Sequence, residues 1–189
     1  MEAGVNAELT DLFLERVHAL PDGDKIDQCI QCGTCTASCP MSEAMEYSPR
    51  EIIAYLRAGM LERVLKSNTV WLCASCYSCA VRCPAGIPFT DVMYELKRLG
   101  MEHGLVPKSA TNAVMAKAFM QSVDRHGRTH EPELIQKYFL RTNPLNALSQ
   151  IPLGLQLALR GRMPILAHTI EGVENLRTMV AAIEENEPK

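Results

Sequence analysis

The chemistry in this chain is concentrated in eight cysteines, which fall in two dense runs. Cys29, Cys32, Cys35 and Cys39 lie in "CIQCGTCTASCP", and Cys73, Cys76, Cys79 and Cys83 lie in "CASCYSCAVRCP". Both runs read C-x2-C-x2-C-x3-C-P, begin 44 residues apart and together use every cysteine. Such a set can staple a fold, hold zinc, exchange thiols or carry electrons on a metal–sulfur centre. Disulfides need an oxidising compartment. The opening residues, with Glu2, Glu8, Asp11, Glu15 and Arg16, do not read as an export signal. Zinc takes four ligands, commonly from two C-x2-C pairs across a longer gap, and has no use for a further cysteine at each run's third and fourth positions. No cysteine is left over for a mixed disulfide, and none is adjacent to another.

The run has the ligand spacing of bacterial ferredoxins, in which the fourth cysteine ligates the other cluster. Two runs then account for two [4Fe–4S] clusters without remainder. Three cysteines separated by two residues wrap three corners of a cubane, and the fourth, one residue further out, points away. The expected ligands are Cys29, Cys32, Cys35 and Cys83 for the first cluster, and Cys73, Cys76, Cys79 and Cys39 for the second. Crossed ligation of this kind would tie the two loops together and keep the clusters within reach of electron hopping. Pro40 and Pro84 fix the backbone as it leaves each loop. The copies differ where Gly33 is matched by Tyr77. Glycine lets the backbone approach sulfur, whereas tyrosine covers it, so the two potentials should differ. The simpler reading is that Tyr77 only packs.

These loops need elements to hold them. The first motif is followed by "YSPREI", where Ser48 and Glu51 form a capping box with Pro49 at the first helical position. Ile52, Ile53, Leu56 and Met60 continue from that cap at helical period, with Gly59 as a break. A short helix is expected over 60–66. The second motif leads to "FTDVM" at a similar offset, and a helix over 91–101 places Val92, Leu96 and Leu99 on one face. The region 25–104 is therefore a duplication of loop plus helix. Before it, Leu9, Leu12, Phe13, Val17 and Leu20 predict an amphipathic helix behind Asn6, stopped by Pro21-Asp22-Gly23. No alternating strand pattern appears. After Pro107, helices are expected over 109–126 and 132–141, then a proline-punctuated stretch to Arg162 and a helix over 171–185. The expected division is a leading helix and linker (1–24), a two-cluster domain (25–106) and a helical, partner-docking extension (107–189).

Composition narrows the function. The 189 residues carry a formal net charge of −3 with no basic run, which offers nothing to a nucleic acid. The segment 142–159 is weakly charged but broken by Pro144 and Pro152, so it reads as no membrane span, though a peripheral membrane contact fits it. The expected location is cytoplasmic. There is no G-x-G-x-x-G loop, no P-loop and no nucleophile–base pair. "RHGRTH" at 125–130 reads as a solvated helix end. Met115, Phe119, Met120 and Val123 read as packing, and His168 as an ordinary histidine. The chain reads as a non-catalytic electron relay.

Two ferredoxin runs about 44 residues apart in a helical frame resemble the alpha-helical ferredoxins. "CIQCGTCTASCP", "SPREIIAYLRAG" and "NTVWLCASCYSCAVRCPAGI" are most similar to the family of heterodisulfide reductase C subunits, over about 27–105 and more weakly, in layout, to the end of the chain, including Gly161-Arg162. That resemblance implies an all-α fold whose eight cysteines are cluster ligands. It also implies a place between a flavin- and iron–sulfur-bearing subunit (the A type) and a cysteine-rich catalytic subunit (the B type). The alternative is the iron–sulfur subunit of a quinone-linked dehydrogenase of the fumarate reductase or glycerol-3-phosphate dehydrogenase type.

Overall fold

The computed structural model describes residues 2–163 and 166–186. Its described residues are helical with no strand, which makes the fold all-α. Two compact units divide at Ala110 and Thr111.

The first unit begins with α1 (Glu2–His18), which starts four residues before the expected Asn6 cap. Phe13 and Val17 of α1 are fully buried, with Leu9 beside them at helical spacing. The chain then reverses through a 3-10 turn, Gly23–Gln28. Gly23 is required there, because a Cβ on it would fall 1.8 Å from the Val17 carbonyl oxygen. The first cysteine loop ends in the one-turn helix α2 (Thr34–Ala37), and α3 (Pro49–Arg57) follows. Short helices α4 (Leu61–Leu65) and α5 (Thr69–Leu72) lead to the second loop. That loop repeats the pattern with α6 (Ser78–Val81) and then α7 (Phe89–Glu102).

The core lies among α1, α4 and α7. Val92, Leu96 and Leu99 of α7 are inaccessible to solvent, as are Leu61 and Val64 of α4. Each such side chain stabilises the fold by about 1.5–3 kcal/mol relative to exposure. Helix α1 packs on both partners, and Arg16 closes the contact with Glu102 at 2.8 Å. Ile52, Ile53 and Leu56 are the buried face of α3, as their spacing predicts. Met60 leaves that face: it lies past the end of α3 and is 40% exposed, because the chain turns at Gly59 (φ 67°) before α4.

The second unit contains α8 (Thr111–His126), α9 (Glu131–Thr142), α10 (Pro144–Leu159) and α11 (Val173–Asn186). The expected broken stretch up to Arg162 is instead largely the continuous helix α10. Asn143 caps it by accepting the Asn146 N–H, Pro144 occupies the first turn, and Pro152 is carried inside. "RHGRTH" is not simply solvated. Arg125 and His126 contact the Glu133 carboxylate at 2.6 and 3.1 Å, and His130 is buried.

Candidate metal centre

The two cysteine loops are copies in backbone as well as in sequence. Cys29 adopts φ −60°, ψ 117° and Cys73 φ −60°, ψ 114°. Gln31 and Ser75 are both left-handed, at φ 57° and 53°. Gly33 (φ 81°, ψ 0°) and Tyr77 (φ 61°, ψ 0°) follow, and cap α2 and α6. Alternation between ordinary and left-handed residues turns successive N–H groups inward, forming a concavity suited to anions and iron–sulfur sulfides. Each loop closes with a matching turn, in which Ser42 N–H donates to Cys39 O at 3.3 Å and Gly86 N–H donates to Cys83 O at 3.0 Å.

Cations brace the start of both loops. Arg57 of α3 donates to Asp27 O at 2.8 Å, and Lys97 of α7 donates to Cys73 O at 3.3 Å. Helices α2 and α6 lie against one another, and each also packs on the helix that follows it. A clamp joins the end of the first loop region to the lead-in of the second. Glu46 N–H donates to Asn68 Oδ1, and Asn68 N–H donates to Glu46 Oε1, both at 3.0 Å. Tyr47 N–H donates to Thr69 Oγ1 at 2.8 Å.

This arrangement places the cysteines around two hollows. One, of about 400 Å³ counting the part open to solvent, is bordered by Cys29, Cys32, Cys35 and Cys83. The other, of about 380 Å³ on the same count, is bordered by Cys39, Cys73, Cys76 and Cys79. Each hollow is thus bordered by cysteines of both motifs, the first by Cys79 as well as Cys83. Cys79 and Phe89 reach both hollows. Ile53 and Ile87 add apolar wall to the first hollow, and Met41, Met45 and Met93 to the second. None of the eight cysteines is in a disulfide. No three His, Cys, Asp or Glu side chains among the described residues converge as a single metal ion requires.

Five of the thiols fall into two electrostatic kinds. Cys32 and Cys76 are the exposed pair. Each is held below the usual thiol range, first by the side-chain hydroxyl two residues on, Thr34 at 3.3 Å and Ser78 at 3.5 Å. Burial pushes Cys35, Cys39 and Cys79 the other way. Gln31 Nε2 donates to Cys29 Sγ at 3.5 Å, and Thr90 Oγ1 lies 3.6 Å from Cys79 Sγ. Sequence reasoning does not single out these polar neighbours, although Thr34 and Ser78 share one motif position. Tyr77 borders the second hollow but is 45% exposed, so it covers the rim incompletely.

A helical frame with two such hollows is that of a dicluster iron–sulfur protein, and the 4Fe-4S dicluster domain matches residues 25–87. The chain belongs to the family of heterodisulfide reductase C subunits. It is 34% identical over 131 residues to the C subunit of the ferredoxin:CoB-CoM heterodisulfide reductase of Methanosarcina mazei, a match covering 64% of this chain and 81% of that one. It is 35% identical over 103 residues to the iron-sulfur C subunit of the CoB–CoM heterodisulfide reductase of Methanopyrus kandleri, covering 54% and 52% of the two chains. For the C subunit of the H(2):CoB-CoM heterodisulfide,ferredoxin reductase of Methanothermobacter marburgensis the identity is 40% over 81 residues, 43% of each chain. The match to the latter two thus spans about half their length or less. No helix among the described residues is long and apolar enough to cross a membrane.

Proposed function

We propose that this chain is the electron-relay subunit of a heterodisulfide reductase or heterodisulfide-reductase-like complex, located in the cytoplasm. In this reading Cys29, Cys32, Cys35 and Cys83 hold one [4Fe–4S] cluster, and Cys73, Cys76, Cys79 and Cys39 hold the other. The clusters supply one-electron redox chemistry. The surrounding residues orient the thiolates: Gln31 donates to the Cys29 sulfur, the hydroxyls of Thr34, Ser78 and Thr90 lie in hydrogen-bond reach of Cys32, Cys76 and Cys79, and Ile53, Ile87 and Phe89 exclude water. The partners are a flavin- and iron–sulfur-bearing subunit on one side and a cysteine-rich catalytic subunit on the other.

The observation that carries this reading is the mixed border of the hollows, each of which is lined by cysteines of both motifs. Iron and acid-labile sulfide analysis of protein purified without oxygen tests it. About eight iron atoms per chain, with two cubane signals in the reduced EPR spectrum, are expected. Colourless protein with two zinc ions would overturn it.

A further inference from the structure

The second unit is made of helices that bury almost nothing. None of the described residues of α9, α10 or α11 is buried, and α8 buries only Ala113, Ala118 and Ser122. Fifteen large apolar residues described in this unit are instead exposed, from Phe119 to Ile183. A soluble surface does not ordinarily carry so much apolar area without a use for it.

The exposure is ordered on α10. Leu145, Leu148, Ile151, Leu155 and Leu159 are 76, 63, 59, 60 and 80% exposed. Their spacing of three, three, four and four residues places them along one face of a helix about 24 Å long. Ala147, Gly154, Leu157 and Ala158 form a different, half-buried face, consistent with the packing of α10 on α9. Asn146, Ser149, Gln150 and Gln156, with the exposed Leu153 among them, make up the remaining surface, which carries no charge. The cations stand at the ends, with Arg141 before the helix and Arg160 and Arg162 after it. From Leu134 to Ile170 there are four cations, Lys137 included, and no Asp or Glu. The whole chain has a formal charge of −3, so these four leave −7 on the remainder.

We propose that this face of α10 is a docking ridge for a protein subunit that offers an apolar groove rimmed by carboxylates. A groove takes up a helix through anchors at three- and four-residue spacing, as here. Carboxylates at its ends complement Arg141, Arg160 and Arg162. The five anchors match the small number of residues that carry most of the energy of a protein interface. A bilayer is the poorer match, because helices that lie in a lipid interface carry Lys and Arg along their polar face, and that face of α10 is uncharged. The proposal rests on this chain being one subunit of a complex, but not on the electrons it carries.

The test is anaerobic co-production of the tagged full-length chain with the flavin-bearing subunit and, separately, with the cysteine-rich subunit. Complexes are then measured by size exclusion with light scattering. The double variant Leu148→Asp/Leu155→Asp is expected to weaken capture of one of these subunits by about 100-fold or more. Asn146→Asp/Gln150→Asp adds the same charge to the opposite face and is expected to leave capture within a few fold. Iron content and EPR spectra are expected to match wild type in both variants, so failure of the relay reading and failure of docking are seen separately. Capture of both subunits unaffected by the leucine variant would overturn the proposal, as would failure of the wild-type chain to capture either one. So would a wild-type homodimer that the leucine variant disperses, or leucine-dependent binding to phosphatidylglycerol–phosphatidylcholine vesicles.

Discussion

Gly33 and Tyr77 hold the same place in the two cysteine loops and nearly the same left-handed backbone, φ 81° against 61°, each with ψ at 0°. Glycine adopts this conformation freely, whereas an L side chain is strained there by about 1–2 kcal/mol. Strain of this kind persists near functional sites when the surroundings hold it. Tyr77 borders the second hollow, and the first has no counterpart to its ring. Tyr77→Gly is therefore expected to relieve strain and admit water to the second site. Water favours the more negative, reduced state, so the second-site potential should rise while the first stays fixed. EPR-monitored redox titration reads both, and an equal shift at both sites would refute the assignment.

In the proposed ligand sets, Cys39 and Cys83 are the residues that cross between motifs. Cys39→Ala is expected to degrade the site bordered by Cys73, Cys76 and Cys79, and Cys83→Ala the site bordered by Cys29, Cys32 and Cys35. Each variant should lose up to about four of eight iron atoms and one of two EPR signals. If each variant damaged the site of its own motif instead, the crossed arrangement would be wrong.

Phe13 touches neither hollow, yet it is fully buried on α1, which packs on α4 and α7. Phe13→Ala should cost the first unit about 3–5 kcal/mol. Anaerobic denaturant titration should show an earlier midpoint, while the folded fraction keeps wild-type EPR signals.

The capping box of α3 gives a pH dependence. Ser48 N–H donates to Glu51 Oε2 at 2.8 Å, and this backbone hydrogen bond, joined by the Ser48 hydroxyl, holds the Glu51 carboxyl below the usual range. A carboxyl depressed in the folded state contributes fully above its unfolded value of about 4.3 and loses that contribution as pH falls through the folded value. Glu51→Gln should flatten the acid limb of stability, and Ser48→Ala should cost about 1 kcal/mol at neutral pH. Denaturation midpoints measured across that acid range check both.

Much of the first unit is legible in the sequence because its signals are local. The Ser48 box, the Ile52–Leu56 face and the repeated cysteine spacing each depend on residues within one or two turns. Met60 departs from its expected face because Gly59 reverses the chain one residue earlier than the apolar period implies. Helix α10 is hidden because two prolines and several amides read as punctuation. Pro144 in fact sits where a helix needs no N–H, and Pro152 costs one hydrogen bond that the rest of the helix outlasts. The mixed border of the hollows depends on how α2 and α6 meet, which spacing can suggest but only the fold can lay out.

The two-motif border has a meaning for ancestry. A peptide with one such loop would bring three cysteines to a hollow and would have to borrow the fourth from a second molecule, lending its own in return. Such a pair would exist only as a dimer, and would fall apart on dilution along with whatever its hollows held. Joining two copies in one chain makes the exchange intramolecular, with an effective concentration set by the connecting segment and not by expression level. On this view the 44-residue repeat is a dimer made permanent.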